Sequence, residues 1–142
     1  MTDLLKTRFE DLVSEFRELD DRDAELELLL ELGGSLPLFP EAKRTEENKV
    51  HGCLSQAWVV PSLTEEAPHT LRLEADSDSQ IVAGLIAVLI VLFNGRTPTE
   101  AATLDARGAL KEIGLERHLS PQRRNGLYGM LRRVQTFAKA FA

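Results

Sequence analysis

The most apolar segment of the chain is Ile81-Val82-Ala83-Gly84-Leu85-Ile86-Ala87-Val88-Leu89-Ile90-Val91-Leu92-Phe93. It carries no charged residue and is interrupted only by Gly84. A helix that crosses a bilayer needs about 20 apolar residues, so this shorter run predicts a helix buried in a protein core. Asp78 or Ser79 can cap the start of the helix, and Asn94-Gly95 can end it.

Two amphipathic helices are predicted upstream of this run. The first has apolar residues at alternating spacings of four and three, which is the stripe of a helix that packs on one face, and Asp3 can cap it. The stripe consists of Leu5, Phe9, Leu12, Phe16 and Leu19. Asp20 or Asp21 can cap a second helix that runs through Leu32 and is ended by the Gly33-Gly34 pair. The proline-containing segment 35–49 predicts a surface loop.

A small sheet is predicted between that loop and the buried helix. Residues 57–60 and 70–75 alternate between two faces, as half-buried strands do, and the turn-like link 61–69 favours an antiparallel hairpin. Val50-His51 can add a short strand, which gives a sheet of about three strands.

The remainder of the chain predicts three more helices. Thr97-Pro98-Thr99-Glu100 is a capping box with proline at the first helical position, and the segment 105–113 is stopped by Gly114. Ser120-Pro121 can cap a last helix, whose stripe is Leu127, Leu131, Val134, Ala138 and Phe141. The order of helices, strands and helices predicts an α+β fold with a small antiparallel sheet. At roughly 100–200 residues per domain, residues 1–142 are expected to form a single domain.

Composition and charge exclude several classes of protein. Hydrophobic residues make up 43% of the 142 residues and charged residues 28%, which is typical of a soluble globular protein. The net charge of -6 argues against nucleic acid as a partner, because phosphate binding needs a basic surface. The N-terminus has no basic region followed by an apolar run, so no signal peptide is expected. We therefore expect a cytoplasmic protein with no membrane contact, and a monomer.

The chain contains one cysteine, Cys53, and three histidines. One cysteine can form neither an internal disulfide nor a thiol-rich zinc site, and the histidines lack the spacing of a metal site, so no metal is predicted. Gly52 lets the backbone turn, or another chain approach, beside the thiol, and a loop position before a strand favours exchange chemistry. A buried structural cysteine is an equally good interpretation of composition alone.

Three segments carry a resemblance to a known family. The segment 50–58, Val-His-Gly-Cys-Leu-Ser-Gln-Ala-Trp, resembles the cysteine loop V-x-G-C-x-S-x-V-W of the SufE-type sulfur-acceptor proteins, also called cysteine desulfuration proteins. Asp76-Ser77-Asp78 with the segment 81–86 resembles their D-S-D-x-x-I-V-x-G-L-I motif, and residues 119–127 resemble L-[ST]-P-x-R-x-x-G-L. The resemblance covers nearly the whole chain. Leu54 and Ala57 depart from the residues that the family often has at these positions.

The resemblance implies a SufE-like fold related to the U-type iron–sulfur scaffolds. It also implies an acceptor and activator of a cysteine desulfurase of the SufS or CsdA type, which holds sulfur as a persulfide. The acceptor would take this sulfur by transpersulfuration and pass it to an iron–sulfur scaffold or another acceptor. Pyridoxal phosphate would belong to the desulfurase, so this chain is expected to have no cofactor of its own and to act as a sulfur carrier rather than a stand-alone enzyme.

The resemblance also assigns residues. Cys53 would be the persulfide acceptor, and Gly52, Asp78 and Arg123 would contact the partner. His51 lies two residues before the thiol and can share its side of an extended segment, where it could assist deprotonation; an exposed loop histidine is the alternative. No fixed cation adjoins Cys53 in sequence, so we expect a resting thiol turned into an apolar pocket until a partner docks.

Three other functions remain open at this point. The chain can be a zinc-binding or iron–sulfur scaffold protein, although it lacks the usual ligand spacings. It can be a hydrolase with a cysteine nucleophile, which would need a histidine and an orienting carboxylate beside Cys53. It can also be a regulatory partner that stimulates a desulfurase by contact alone.

Overall fold

The computed structural model describes residues 3–19, 21–51 and 55–142. Within these ranges the chain forms six α-helices, two strands and two short 3₁₀ turns, which confirms the α+β class. The helices are α1 (Phe9–Arg17), α2 (Arg22–Gly34), α3 (Gln80–Phe93), α4 (Pro98–Thr103), α5 (Ala106–Ile113) and α6 (Pro121–Phe141). The strands are β1 (Ala57–Leu63) and β2 (Leu71–Ser77), and the 3₁₀ turns are Glu41–Lys43 and Leu115–His118.

Helix α3 is the centre of the core, as its apolar sequence predicts. All its residues from Val82 to Phe93 are buried, and the helix packs against α2 and β2. The Ser79 hydroxyl caps it by accepting the Val82 N–H at 3.3 Å, and the Asn94 N–H donates to the Ile90 carbonyl at 2.9 Å at its end. Each fully buried Leu or Ile side chain contributes about 1.5–3 kcal/mol, so this helix organises the rest of the molecule.

Two glycines allow α2 and α3 to approach closely. A Cβ on Gly84 would lie 2.3 Å from the Leu29 carbonyl oxygen, and a Cβ on Gly33 would lie 2.7 Å from the Gly84 nitrogen. The prediction that Gly33-Gly34 ends the second helix near Leu32 is wrong by two residues, because both glycines belong to α2. Gly33 serves as a contact surface for α3 rather than as a terminator.

The N-terminal segment differs from the predicted single helix. Asp3 accepts the Leu5 N–H at 3.1 Å within a separate turn, and α1 begins only at Phe9, where Arg8 provides no side-chain cap. This turn changes the direction of the first residues. Leu4 is therefore buried, whereas Leu5, which the stripe placed in the core, is 57% exposed.

The two strands form the predicted antiparallel hairpin, with Trp58 opposite Asp76. Among the described residues the sheet has two strands rather than about three, because the segment before β1 pairs with it only through a bridge between Lys49 and Trp58. The chain turns at His51 directly after this pairing, so the pairing is too short to count as a strand.

The C-terminal helices begin and end where their caps predict. The Thr97 and Glu100 capping box starts α4, Gly114 ends α5 at φ +82°, and the Ser120 hydroxyl caps α6. One residue of the predicted α6 stripe is wrong, because Phe141 in the last turn is 55% exposed. No helix in the described ranges combines the length and the apolar character that crossing a membrane requires.

Candidate functional site

The candidate nucleophile lies between two well-defined flanks. Gly52, Cys53 and Leu54 are outside the described residues, so their predicted roles, and the predicted apolar pocket for the thiol, stay predictions. On either side the chain is paired, because the Val50 N–H donates to the Ala57 carbonyl at 2.8 Å. Residues 51–56 therefore connect two adjacent positions of the sheet, and we call this segment the cysteine loop.

The C-terminal flank of the cysteine loop is held by the turn between β2 and α3. The Gln56 N–H donates to Asp78 Oδ1 at 3.0 Å, and the Asp78 N–H donates back to the Gln56 carbonyl at 3.1 Å. The Ser77 hydroxyl donates to the same carbonyl at 2.7 Å. We call Gln56, Ser77 and Asp78 the loop clamp. Asp78 thus does not cap α3, as was one alternative, because Ser79 fills that position and leaves the Asp78 carboxylate for Gln56.

Arg123 lies next to the loop clamp. Its Nη1 donates to the Ser79 hydroxyl at 3.4 Å, and the Ser79 N–H donates to the Ser77 hydroxyl at 3.1 Å. The side chain is half-buried, in the first turn of α6. The structure therefore brings two of the predicted partner-binding residues, Asp78 and Arg123, to one place through Ser79.

His51 stands at the N-terminal flank of the cysteine loop. Its side chain is 67% exposed, and its Nε2 lies 3.7 Å from Glu46 Oε1, which is also exposed. An ion pair in water at this distance contributes little to stability. This placement matches the interpretation of His51 as a solvent-exposed loop histidine, and its role toward Cys53 stays a prediction.

The segment that precedes the cysteine loop is hydrogen-bonded to Arg133 of α6, a residue that no sequence pattern indicated. The Arg133 guanidinium of α6 donates to the carbonyls of Glu47, Lys49 and Val59 at 3.0–3.3 Å. The only sequence signal is that Arg133 adjoins Val134 of the buried stripe. Its side chain can therefore run along the edge of the core.

A second missed residue, Arg44, organises the outer face of the hairpin. Its Nη2 donates to Asp76 Oδ2 at 2.5 Å, and this hydrogen bond raises the pKa of the guanidinium. The guanidinium also lies 4.9 Å from the centroid of the Trp58 ring, and Phe39 stacks on Trp58 at 6.5 Å. Asp76 belongs to β2 and pairs with Arg44. Trp58 thus packs between Arg44 and Phe39 on the outer face of the hairpin.

One acidic residue of α2 is buried in the fold. Glu25 is only 9% exposed, and its carboxylate accepts hydrogen bonds from His118 Nε2 and from Arg117 Nη2. The other ring nitrogen of His118 accepts from Arg22 Nε at 3.1 Å. Both His118 nitrogens are therefore engaged in joining α2 to the 115–118 turn, which makes His118 a structural residue. His69 bonds the Thr64 carbonyl within the hairpin turn.

Potential metal ligands do not cluster within the part of the chain that the structure describes. Residues 3–19, 21–51 and 55–142 contain no group of three or more His, Asp or Glu side chains placed to hold an ion. The described residues that flank the cysteine loop offer a carboxylate, a histidine and a guanidinium.

Comparisons with known proteins agree with this architecture. Residues 10–138 match the model of the SufE family, described as an Fe-S metabolism associated domain. The chain is 40% identical over 134 residues to an uncharacterized SufE-like protein of Rhizobium meliloti, covering 94% of this chain and 96% of the relative. It is 39% identical over 140 residues to one of Rhizobium etli, covering 98% and 95%.

A solved structure supports the fold independently of close sequence identity. The solution structure of a hypothetical protein from Thermus thermophilus superposes with a TM-score of 0.75 at 22% identity and covers 93% of both chains. The family match over most of the chain places the protein in iron–sulfur metabolism. The chain belongs to the SufE family.

Proposed function

We propose that this protein accepts sulfur from a cysteine desulfurase and that Cys53 is the residue that receives it. The desulfurase persulfide is the donor, and an iron–sulfur scaffold or another acceptor is the recipient. The proposal rests on the family membership, on the single cysteine at the family's motif position, and on the way the flanks of that cysteine are fixed to the fold.

The transfer step requires one bond to form and one to break. The Cys53 thiolate attacks the outer sulfur of the desulfurase persulfide, a new S–S bond forms on Cys53, and the S–S bond of the donor breaks. The desulfurase cysteine leaves as a thiolate, and the proton of the persulfide moves with the outer sulfur. No net oxidation occurs and no further co-reactant is needed, so the chain requires no cofactor of its own.

The observation that carries the proposal is the anchoring of the cysteine loop at both ends. Val50 and Ala57 pair at its base, and the loop clamp holds Gln56, three residues after Cys53. A reacting atom must be placed within a fraction of an ångström of its target, and a short connection with fixed ends restricts where its thiol can go. A loop of this kind suits delivery of one sulfur into a partner's site.

The charged residues around the loop suit a docking surface. Arg123 presents a guanidinium next to the loop clamp, where it can pair with a carboxylate of the desulfurase. Its position in the first turn of α6 is unfavourable for the helix dipole, so a gain from binding explains it better than helix stability does. His51 is exposed at the opposite flank and can accept the thiol proton.

Desulfurase turnover in the presence of this protein tests the proposal. Wild-type protein should stimulate the release of sulfur from free cysteine, and Cys53→Ser should abolish the stimulation while still binding the desulfurase. Stimulation by Cys53→Ser equal to that of the wild type would instead favour a regulatory partner that acts by contact.

A further inference from the structure

Helix α6 contacts the backbone at both ends of the cysteine loop through a half-buried arginine, Arg133. Arg133 Nη1 donates to the carbonyls of Glu47 at 3.2 Å and Val59 at 3.3 Å, and Nη2 donates to the carbonyl of Lys49 at 3.0 Å. These carbonyls come from both sides of the pairing that closes the loop. We call residues 47–50 and 57–59 the loop stem.

The loop stem is held unequally on its two sides, because residues 57–59 pair with β2 whereas residues 47–50 lie outside the two strands. Its two sides meet through a single bridge, between Lys49 and Trp58, with hydrogen bonds from Val50 to Ala57 and from Val59 to Asn48. A pairing this short is weak on its own. The planar guanidinium, with five N–H donors in a fixed fork, can tie carbonyls of both sides to one point, which a flexible ammonium cannot do as well.

The stem also contacts α6 at Gly129, one helical turn before Arg133 on the same face of the helix. A Cβ on Gly129 would lie 3.7 Å from Val50 Cγ1 and 3.9 Å from the His51 carbonyl oxygen, so the helix backbone runs directly beneath the start of the cysteine loop. The N-terminal end of the same helix carries Arg123, which bonds Ser79 next to the loop clamp. Helix α6 therefore supports both flanks of the loop.

We propose that Arg133 is a positioning residue for sulfur acceptance: it fixes the loop stem to α6 and so sets the direction from which Cys53 meets the donor persulfide. This inference rests on the proposed function. Arg133 is half-buried, and its guanidinium donates hydrogen bonds to backbone carbonyls of the loop stem. It therefore acts through the loop stem and not by contact with the partner.

The chain offers a matched control on the same helix. Gln135, two residues further along, donates from Nε2 to the carbonyls of Ala101 at 3.1 Å and Leu104 at 2.9 Å. It ties α6 to the α4 region by the same kind of bond, away from the cysteine loop. Arg133→Met and Gln135→Met thus each remove a polar link between α6 and neighbouring backbone, and only the first affects the stem.

The test measures sulfur transfer from a persulfide-loaded desulfurase to each variant in the full-length protein. Arg133→Met should lower the limiting rate of sulfur transfer about tenfold. The variant concentration that gives half of this rate should stay unchanged, because misplacement of a reacting atom slows the transfer step and does not weaken docking to the desulfurase. The exchange of the Val50 and Val59 amide protons should also become faster. Gln135→Met should accept sulfur at the wild-type rate, even if its unfolding midpoint falls by as much as that of Arg133→Met. Arg133→Lys should recover part of the rate.

Several results would overturn the role of Arg133. Positioning through the stem is contradicted if Arg133→Met has the same limiting rate of sulfur transfer as Gln135→Met. It is also contradicted if Arg133→Met changes only the variant concentration that gives half of the limiting rate. If Arg133→Met does not fold, an unaltered limiting rate for Arg133→Lys contradicts it as well. A wild-type protein that accepts no sulfur refutes the proposed function itself, and the role of Arg133 in it, whereas the other results leave the proposed function standing.

Discussion

Gln56 and Asp78 are joined by two backbone-centred hydrogen bonds that run in opposite directions. The Gln56 N–H donates to the Asp78 carboxylate at 3.0 Å, and the Asp78 N–H donates to the Gln56 carbonyl at 3.1 Å. This pair connects the residue third after Cys53 to the start of the most buried helix of the protein. The rigid core thereby determines where the cysteine loop ends.

Asp78→Ala should loosen that end of the loop. The substitution removes the acceptor of the Gln56 N–H and should lower the free energy of unfolding by about 1–2 kcal/mol. The Gln56 amide proton should exchange faster, which NMR-detected hydrogen exchange would measure. Asp78→Asn is the matched control, because it keeps an oxygen acceptor of the same shape, and it should retain most of the protection. Equal exchange in wild type and Asp78→Ala would contradict the clamp.

Gly84→Ala should separate α2 from α3. The added methyl group would lie 2.3 Å from the Leu29 carbonyl oxygen, so the helices must move apart, at a cost of about 1–3 kcal/mol or more. Urea unfolding measures this loss. Gly34→Ala has nothing within 4 Å of its Cβ and should be neutral or more stable by up to about 1 kcal/mol. Similar stabilities for the two variants would refute the close approach.

Glu25→Ala should destabilise the protein without affecting sulfur transfer. The substitution leaves the partly buried His118 without its carboxylate, and we expect a loss of about 2–3 kcal/mol in the free energy of unfolding. The exposed neighbour Glu27 provides the control, since Glu27→Ala should stay within about 0.5 kcal/mol of wild type. A transfer rate that falls in Glu25→Ala under conditions where the protein is folded would show that this cluster belongs to the functional site.

The capping box of α4 should make stability depend on acidic pH. The Thr97 N–H, together with the Thr97 hydroxyl, holds the pKa of Glu100 below its ordinary value of 4.5. A carboxyl whose pKa is lower in the folded state stabilises the fold above its unfolded pKa and loses that contribution as the pH falls through the folded pKa. Wild type should therefore be more stable than Glu100→Gln at pH 7, and the difference should vanish well below pH 4.5. A difference that does not change with pH would contradict this ionised role for Glu100.

Most of the fold could be predicted from local patterns. The apolar run 81–93, the capping box at Thr97 and the Ser120-Pro121 start of α6 each carry their own signal within a few residues, and each element begins as predicted. The predicted burial of Leu5 was wrong, because the separate turn at Asp3 buries Leu4 instead. Periodicity over one helix turn does not contain that information.

The site was harder to predict, because its bonds join residues far apart in the chain. An aspartate before a helix has the pattern of a cap, and only the position of Gln56, 22 residues earlier, turns Asp78 to the loop. Glu25 lies in an acidic run typical of a solvated surface, and its burial depends on His118, 93 residues later. Arg133 has no motif, since its acceptors are backbone carbonyls that any sequence supplies.

Intact-mass spectrometry after mixing with a cysteine desulfurase and free cysteine shows whether Cys53 accepts sulfur. Wild-type protein should gain a sulfur atom that a reductant removes, peptide mapping should place it on Cys53, and Cys53→Ser should gain none. A wild-type protein that gains no sulfur from any cognate desulfurase, or a Cys53→Ser protein that gains as much, would contradict sulfur acceptance by Cys53.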